Sequence, residues 1–300
     1  MKPNFLQVGD IVEIIAPASK FDPLVLTKIE GFLRSWGLKA RFANDLLGED
    51  LLFANSDEKR LAGLTAALNN HDSKAIWAIR GGYGCARLIP TLAELPKPIH
   101  TKWLMGFSDI TALHIFVNQQ WQWPSLHCAS ANQIANHLIT DESIKATKEF
   151  ILGHAQPFNI ELEAMNEAAR TAGEIQTNVI GGNLSVVVTS LGTAWQIDTS
   201  GKLLIIEDVN EEPYRIDRML NHLYQAGALA EIKGLLIGEF TQPENKRSDS
   251  EMHSVLQAWI DRLGFPALKI KVGHAKDNLP LAFGVKATLK LGHKPSLSFE

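Results

Sequence analysis

Trp103-Leu104-Met105-Gly106-Phe107-Ser108-Asp109-Ile110-Thr111-Ala112-Leu113-His114-Ile115-Phe116-Val117 decides how this chain is read. Its first five residues are apolar without alternation, the pattern of a parallel strand buried on both faces. The run breaks at Ser108, and Asp109 to Val117 carry a helical pattern. A strand that turns sharply into a helix projects the residue at the turn from the carboxyl edge of its sheet, beside the N–H groups of the helix start. A serine there is placed as a nucleophile next to an oxyanion hole. The same serine also reads as a helix N-cap, because Ser ahead of an acidic residue and an apolar run starts many helices. A nucleophile needs a base, and the base an orienting acid, so the choice rests on the remaining residues.

Outward from this stretch the first half alternates strand and helix. Ile11 to Ala16 reads as a strand closed by the turn Pro17-Ala18-Ser19. Leu24 to Trp36 reads as a helix and Leu38 to Phe42 as a short strand. Ser56 is placed to cap a helix with Asp57 and Glu58 at its positive end and Leu61, Leu64 and Leu68 as its buried stripe. Ala75 to Ile79 is a strand followed by a glycine-rich turn, and Ser125 to Cys128 follows the helix after Ser108. This rhythm predicts a mostly parallel sheet with helices on both faces, where ligands bind outside the carboxyl ends of the strands. Ser19, the glycine turn and Ser108 all follow strands at that edge.

After about residue 150 the texture changes. Phe158 to Arg170 is polar and rich in Glu and Ala, as a crossing between domains would be. Gly181-Gly182-Asn183 precedes a short helix, and Leu203 to Ile206 and Leu235 to Gly238 read as buried strands. Ile216, Met219, Leu220 and Leu223 mark a helix. Ala267 to Val272, Ala287 to Leu291 and Ser296 to Phe299 alternate with period two, as short strands of a small barrel or sandwich do. The expected division is an α/β domain over 1–155 carrying the nucleophile, a linker over 156–171, and a β-rich α/β domain over 172–300.

Three hundred residues are long for one core, in keeping with two domains. The net charge of −4 without a basic run argues against nucleic acid as a partner. Two cysteines, Cys85 and Cys128, are too few for a disulfide scaffold or a cysteine-rich zinc site. The stretch Met1 to Leu6 lacks the apolar core of a signal peptide, and no run reaches the ~18 apolar residues that span a bilayer. The expected location is cytoplasmic, with no membrane partner.

Three constellations could carry chemistry. Arg80-Gly81-Gly82-Tyr83-Gly84 joins a strand to a helix, and its glycines let backbone approach a ligand and leave N–H groups to donate. Its spacing is incomplete as a dinucleotide fingerprint. It reads as a wall and oxyanion donor for a neighbouring site, with Cys85 after it a buried thiol rather than a nucleophile. Glu207 directly follows a buried strand and opens the charged run to Arg218, where a carboxylate could hold an imidazole; the other charges read as solvated or structurally paired. His274, in Gly273-His274-Ala275-Lys276-Asp277-Asn278, again follows a strand. Of ten histidines, only His127, also at a strand end, rivals it. No His-x-x-x-His or Cys-x-x-Cys pattern points to a catalytic metal. Ser108, Glu207 and His274 together supply nucleophile, orienting acid and base. Ile110 replaces the second glycine of the G-x-S-x-G elbow, and the β-rich second half does not look like the end of an α/β-hydrolase.

With these motifs in place the chain resembles the LD-carboxypeptidases, or muramoyltetrapeptide carboxypeptidases, nearly end to end. The resemblance rests on Gly9-Asp10 with Ile14 to Ser19, Arg80 to Gly84, Gly106 to Ile110, Gly181 to Leu184, Glu207-Asp208 with Tyr214 to Arg218, and Gly273-His274. It puts the family's serine, glutamate and histidine on Ser108, Glu207 and His274. It implies a flavodoxin-like parallel-sheet N-terminal domain, a β-barrel-like C-terminal domain, a site in the cleft between them and a homodimer. The implied reaction removes the terminal D-alanine of murein tetrapeptide in cell-wall recycling, with no cofactor and no metal. The backbone N–H groups of Asp109 and Gly82, with Gly81 beside them, would hold the oxyanion and line the substrate.

One segment departs from the family pattern: His-Gly-Pro is frequent where this chain has His127-Cys128-Ala129-Ser130, which bears on the local shape of the site. Two other functions share these features. A microcin C immunity-type peptidase would use the same triad on an aminoacyl or peptidyl nucleotide, and a non-catalytic binding module would use the site without turnover.

Overall fold

The computed structural model describes residues 4–154, 158–241 and 249–299. The chain divides into two compact units, one of Met1–Ala155 with Asn278–Phe283 and one of Gln156–Asp277 with Gly284–Glu300.

The first unit holds β1 (Ile11–Ile15), β2 (Lys39–Phe42), β3 (Ser73–Ala78), β4 (Trp103–Gly106) and β5 (Ser125–His127), paired in parallel in the order β2-β1-β3-β4-β5. That is the order of a flavodoxin-like sheet. The helices Val25–Ser35, Asp57–Asn69, Cys85–Glu94, Thr111–Gln120, Ala131–Ala135 and Asp141–Ile151 connect and follow its strands. β4 is apolar throughout because both faces are covered: Trp103, Leu104 and Met105 are at most 1% exposed. Burying each such side chain contributes about 1.5–3 kcal/mol. Ser56 caps its helix as its sequence suggests, its hydroxyl accepting from Lys59 N–H at 3.3 Å. The other end of that helix is closed by buried Lys102, whose ammonium donates to Ala67 O, Asn70 O and Ser73 Oγ. Burial holds that ammonium down at about 8.

The second unit carries β6 (Phe158–Glu161), β7 (Glu163–Ala164), β8 (Gly173–Asn183), β9 (Leu203–Asp208), β10 (Gly234–Phe240) and β11 (Ala267–Lys269). Next along the chain, β12 (Leu281–Phe283) returns to the first unit and pairs antiparallel with β5. β13 (Lys286–Leu291) and β14 (Ser296–Phe299) complete the second unit's sheet, in the order β6-β14-β13-β8-β9-β10-β11-β7. β8 to β11 run parallel, and the rest pair antiparallel. β6 and β7 are separated only by Leu162 yet form opposite ends of this strand order. One residue can join the two edges only if the sheet curls round on itself, so the sheet is a nearly closed barrel. Closure leaves little exposed edge.

Two stretches differ from their sequence reading. The segment 158–164, expected within a crossing, forms β6 and β7; Phe158 and Ile160 face inward while Asn159 and Glu161 face out. Its acidic residues are the outer face of a strand, not a solvated linker. Leu281–Phe283, expected in the second domain, joins the first sheet, where Phe283 packs edge-on against His114 at 5.5 Å. Among the described residues no helix is long and apolar enough to cross a membrane.

Candidate active site

In the first unit the strand-to-helix turn is strained at one residue. Phe107 is extended (φ −154°, ψ −170°), and Ser108 then takes φ +63°. The left-handed region costs an L-residue about 1–2 kcal/mol. Nucleophile elbows hold their serine in the same kind of strained strand-to-helix turn. The N-cap alternative is overturned: Phe107 occupies the cap position of the short turn Ser108–Ile110, and no side chain caps it. The hydroxyl is thus not spent on its own helix.

The glycine turn lies against this elbow. A Cβ on Gly81 would sit 2.8 Å from Ser108 Cβ and 3.1 Å from its Oγ, so only glycine lets that backbone come so near. Gly82, at φ +112°, abuts Ser19, whose Oγ would lie 2.3 Å from an added Cβ. Ser19 Oγ accepts the Tyr83 N–H at 3.1 Å, and Ser19 N–H donates to Gly81 O at 3.4 Å. Asp109 contributes its backbone beside Ser108. Its buried carboxylate accepts the Cys85 N–H at 2.8 Å and so fastens the helix after the glycine turn to the elbow.

Buried Arg60, which sequence reading missed, joins the same elements from behind. Its guanidinium donates to Pro17 O, to Gly84 O at 3.1 Å and to Asn55 O at 3.1 Å, and it pairs with Asp57. In the sequence it looks like one charge among Asp57-Glu58-Lys59-Arg60; only its burial, 4% exposed, marks it out.

The rival residues are accounted for. Cys85 is fully buried, and burial pushes its thiol well above the ordinary value, so it is no thiolate nucleophile. His127 is fully buried in an aromatic cluster, its ring 5.9 Å from Phe107 and 5.6 Å from Phe283. The departure after it is anchored locally. Cys128 N–H donates to Gly106 O at 3.1 Å, Trp77 Nε1–H donates to Ala129 O at 2.9 Å, and Ser130 forms a capping box with Gln133.

In the second unit Glu207 and His274 meet. Glu207 Oε2 lies 2.6 Å from His274 Nδ1, the carboxylate side chain fully buried and the imidazole 16% exposed. Two glycines make the slot: a Cβ on Gly238 would fall 2.9 Å from Glu207 Cβ, and one on Gly273 3.1 Å from Oε2. Gly273, at φ +135°, also turns the chain so that His274 faces back to β9. Burial raises the Glu207 carboxyl, and burial alone would lower the His274 imidazole. The charge of Glu207 and its hydrogen bond outweigh that and hold His274 above its ordinary value.

Asp208, next to Glu207, fixes the Gly181-Gly182-Asn183 segment to β9. It accepts from Asn183 Nδ2 at 2.9 Å, from Ser185 N–H at 2.9 Å and from Ser185 Oγ at 2.7 Å. A Cβ on Gly181 would lie 2.1 Å from Ile205 O, which explains the glycine there. Beyond Asp208, Arg215 pairs with Glu211 at 3.4 Å, and Asp217 accepts the Trp259 indole at 2.8 Å. Among the described residues no group of three His, Cys, Asp or Glu side chains is arranged to hold a metal ion.

Residues 12–128 match the LD-carboxypeptidase N-terminal domain, and residues 176–289 match the LD-carboxypeptidase C-terminal domain. The chain is 33% identical to a probable murein peptide carboxypeptidase of Bacillus subtilis, over 99% of this chain and 93% of that one. Muramoyltetrapeptide carboxypeptidase from Oxalobacter formigenes, a crystal structure, superposes with a TM-score of 0.81 at 27% identity, covering 96% of this chain and 98% of that one. The microcin C7 self immunity protein has the same fold, with a TM-score of 0.82 at 18% identity over 100% of this chain and 98% of that one. A match to both family domains and a third of residues shared with an end-to-end relative place this chain in the LD-carboxypeptidase family, as a serine carboxypeptidase.

Proposed function

We propose that this enzyme removes the C-terminal D-alanine from murein tetrapeptide during cytoplasmic cell-wall recycling, with Ser108, His274 and Glu207 acting together on one peptide. The observation that carries the reading is Ser108 in the left-handed region with its hydroxyl unspent on a cap. The end-to-end relative named for murein peptides supports the substrate. Ser108 Oγ attacks the carbonyl that precedes D-alanine, and His274 Nε2 takes its proton. Glu207, on Nδ1, fixes the tautomer and stabilises the imidazolium. The Asp109 and Gly82 N–H groups hold the oxyanion, each worth about 3–4 kcal/mol in serine hydrolases. His274 returns the proton to the D-alanine amine as the C–N bond breaks. Water, deprotonated by His274, then hydrolyses the acyl-enzyme. No cofactor enters this sequence. The same reading includes a homodimer, which sedimentation tests directly.

Incubation with murein tetrapeptide should release D-alanine, and Ser108→Ala should abolish release while leaving the circular dichroism spectrum unchanged. Hydrolysis of an aminoacyl sulfamoyl adenosine without tetrapeptide turnover would replace this reading with an immunity-type peptidase. Binding without product, unaffected by Ser108→Ala, would replace it with a non-catalytic module.

A further inference from the structure

Arg80 is left unused by the chemistry above, although it begins the glycine turn. It is exposed at the carboxyl end of β3, one residue before the glycine that lies against Ser108. Consecutive Cα atoms are about 3.8 Å apart, so its backbone is within one residue step of the elbow's neighbour. Its side chain does not hang loose. Nη1 donates to Lys20 O at 2.9 Å, and Lys20 follows Ser19, the residue whose hydroxyl fills the space beside Gly82. The guanidinium is thus fastened to the rim of the same turn.

What Arg80 lacks is an anion. Arg41 pairs with Glu13 and Asp72, Arg60 and Arg87 share Asp57, and Lys59 pairs with Asp45. Among the described residues no carboxylate pairs with Arg80. A guanidinium oriented by Lys20 O and without a carboxylate partner, on the turn whose next residue lies against Ser108, matches what an exopeptidase must recognise. The carboxylate of the terminal residue lies only three bonds from the scissile carbonyl carbon, and a guanidinium fork binds a carboxylate through two parallel N–H···O bonds.

We propose that Arg80 binds the free α-carboxylate of the substrate's terminal residue and so restricts the enzyme to chain ends. This rests on the peptidase reading above, and it is tested by binding as well as turnover so that the two can fail separately. The inactive Ser108→Ala protein is titrated calorimetrically with murein tetrapeptide and with the same peptide ending in D-alaninamide, with and without Arg80→Met. Arg80→Lys serves as the conservative variant. The free acid should bind about 100-fold more tightly than the amide. Arg80→Met should erase that ratio by weakening the acid alone, and Arg80→Lys should restore part of it. With Ser108 present, Arg80→Met should raise KM for the acid far more than it lowers kcat. It should also leave the rate of Ser108 labelling by an uncharged fluorophosphonate unchanged. An acid-to-amide ratio that survives in Arg80→Met overturns the proposal, as does equal binding of acid and amide by the Ser108→Ala parent. Retained discrimination by Arg80 in a protein that releases no D-alanine would uphold the carboxylate site and overturn only the reaction.

Discussion

Glu207 Oε2 and His274 Nδ1 are 2.6 Å apart, and the two residues are set on the end of β9 and the loop after β11. Two opposed effects meet in that contact. Burial favours the neutral form of both groups, while each charge favours the other. The imidazole ends above its ordinary value because a fully buried carboxylate acts on it through little water. As the base of the proposed mechanism His274 works only when neutral, so activity should fall as pH drops through this raised value. Glu207→Gln removes the charge but keeps the burial, so the acid limb of kcat/KM should move to lower pH. The rate should fall on the order of 10³–10⁴-fold through loss of the correct tautomer. A pH–rate profile of the two proteins checks both. An unmoved limb would mean that Glu207 does not set the imidazole's proton affinity.

The strain at Ser108 makes a second prediction, on stability. Its φ of +63° suits glycine and not serine or alanine. Relieving the left-handed cost yields about 1–2 kcal/mol, and glycine's extra freedom in the unfolded chain returns about 0.5–1 of it. Ser108→Gly should therefore melt slightly above Ser108→Ala, both without activity. Differential scanning calorimetry resolves such a difference. An alanine variant as stable as the glycine variant would show that the elbow is not strained.

The sequence disclosed the central strands of the first sheet because they are largely buried and read as apolar runs, β4 above all. The candidate site residues stand out for a related reason: Ser108 and Glu207 each end an apolar run, and His274 follows the alternating run Ala267 to Val272. Contacts that span the chain were not legible. Nothing in Leu281-Ala282-Phe283 says that it pairs with Ser125–His127, about 150 residues away, rather than with the strands around it. Nor does a charged helix start reveal that Arg60 turns inward to Pro17 and Gly84 while its neighbours face water. Asp109 was read for its backbone; its carboxylate bond to Cys85 depends on a turn geometry that no local pattern encodes.

His114 carries the last prediction. It is fully buried on the helix after the elbow, where its Nε2–H donates to Gly106 O at 2.9 Å, the carbonyl that also receives Cys128 N–H. Burial holds its imidazole down at about 4. A base whose affinity for protons is depressed by folding is protonated first in the unfolded chain. Its contribution is therefore intact above the ordinary imidazole range and is lost as pH falls from there towards about 4. Over that window the linkage amounts to about 3 kcal/mol, with no screening discount for a fully buried ring. His114→Gln keeps an N–H that can reach Gly106 O but cannot titrate. Its melting temperature should decline less steeply than the wild type's between neutral pH and pH ~4. Parallel decline in both proteins would assign the acid sensitivity to other groups and leave His114 with a packing role alone.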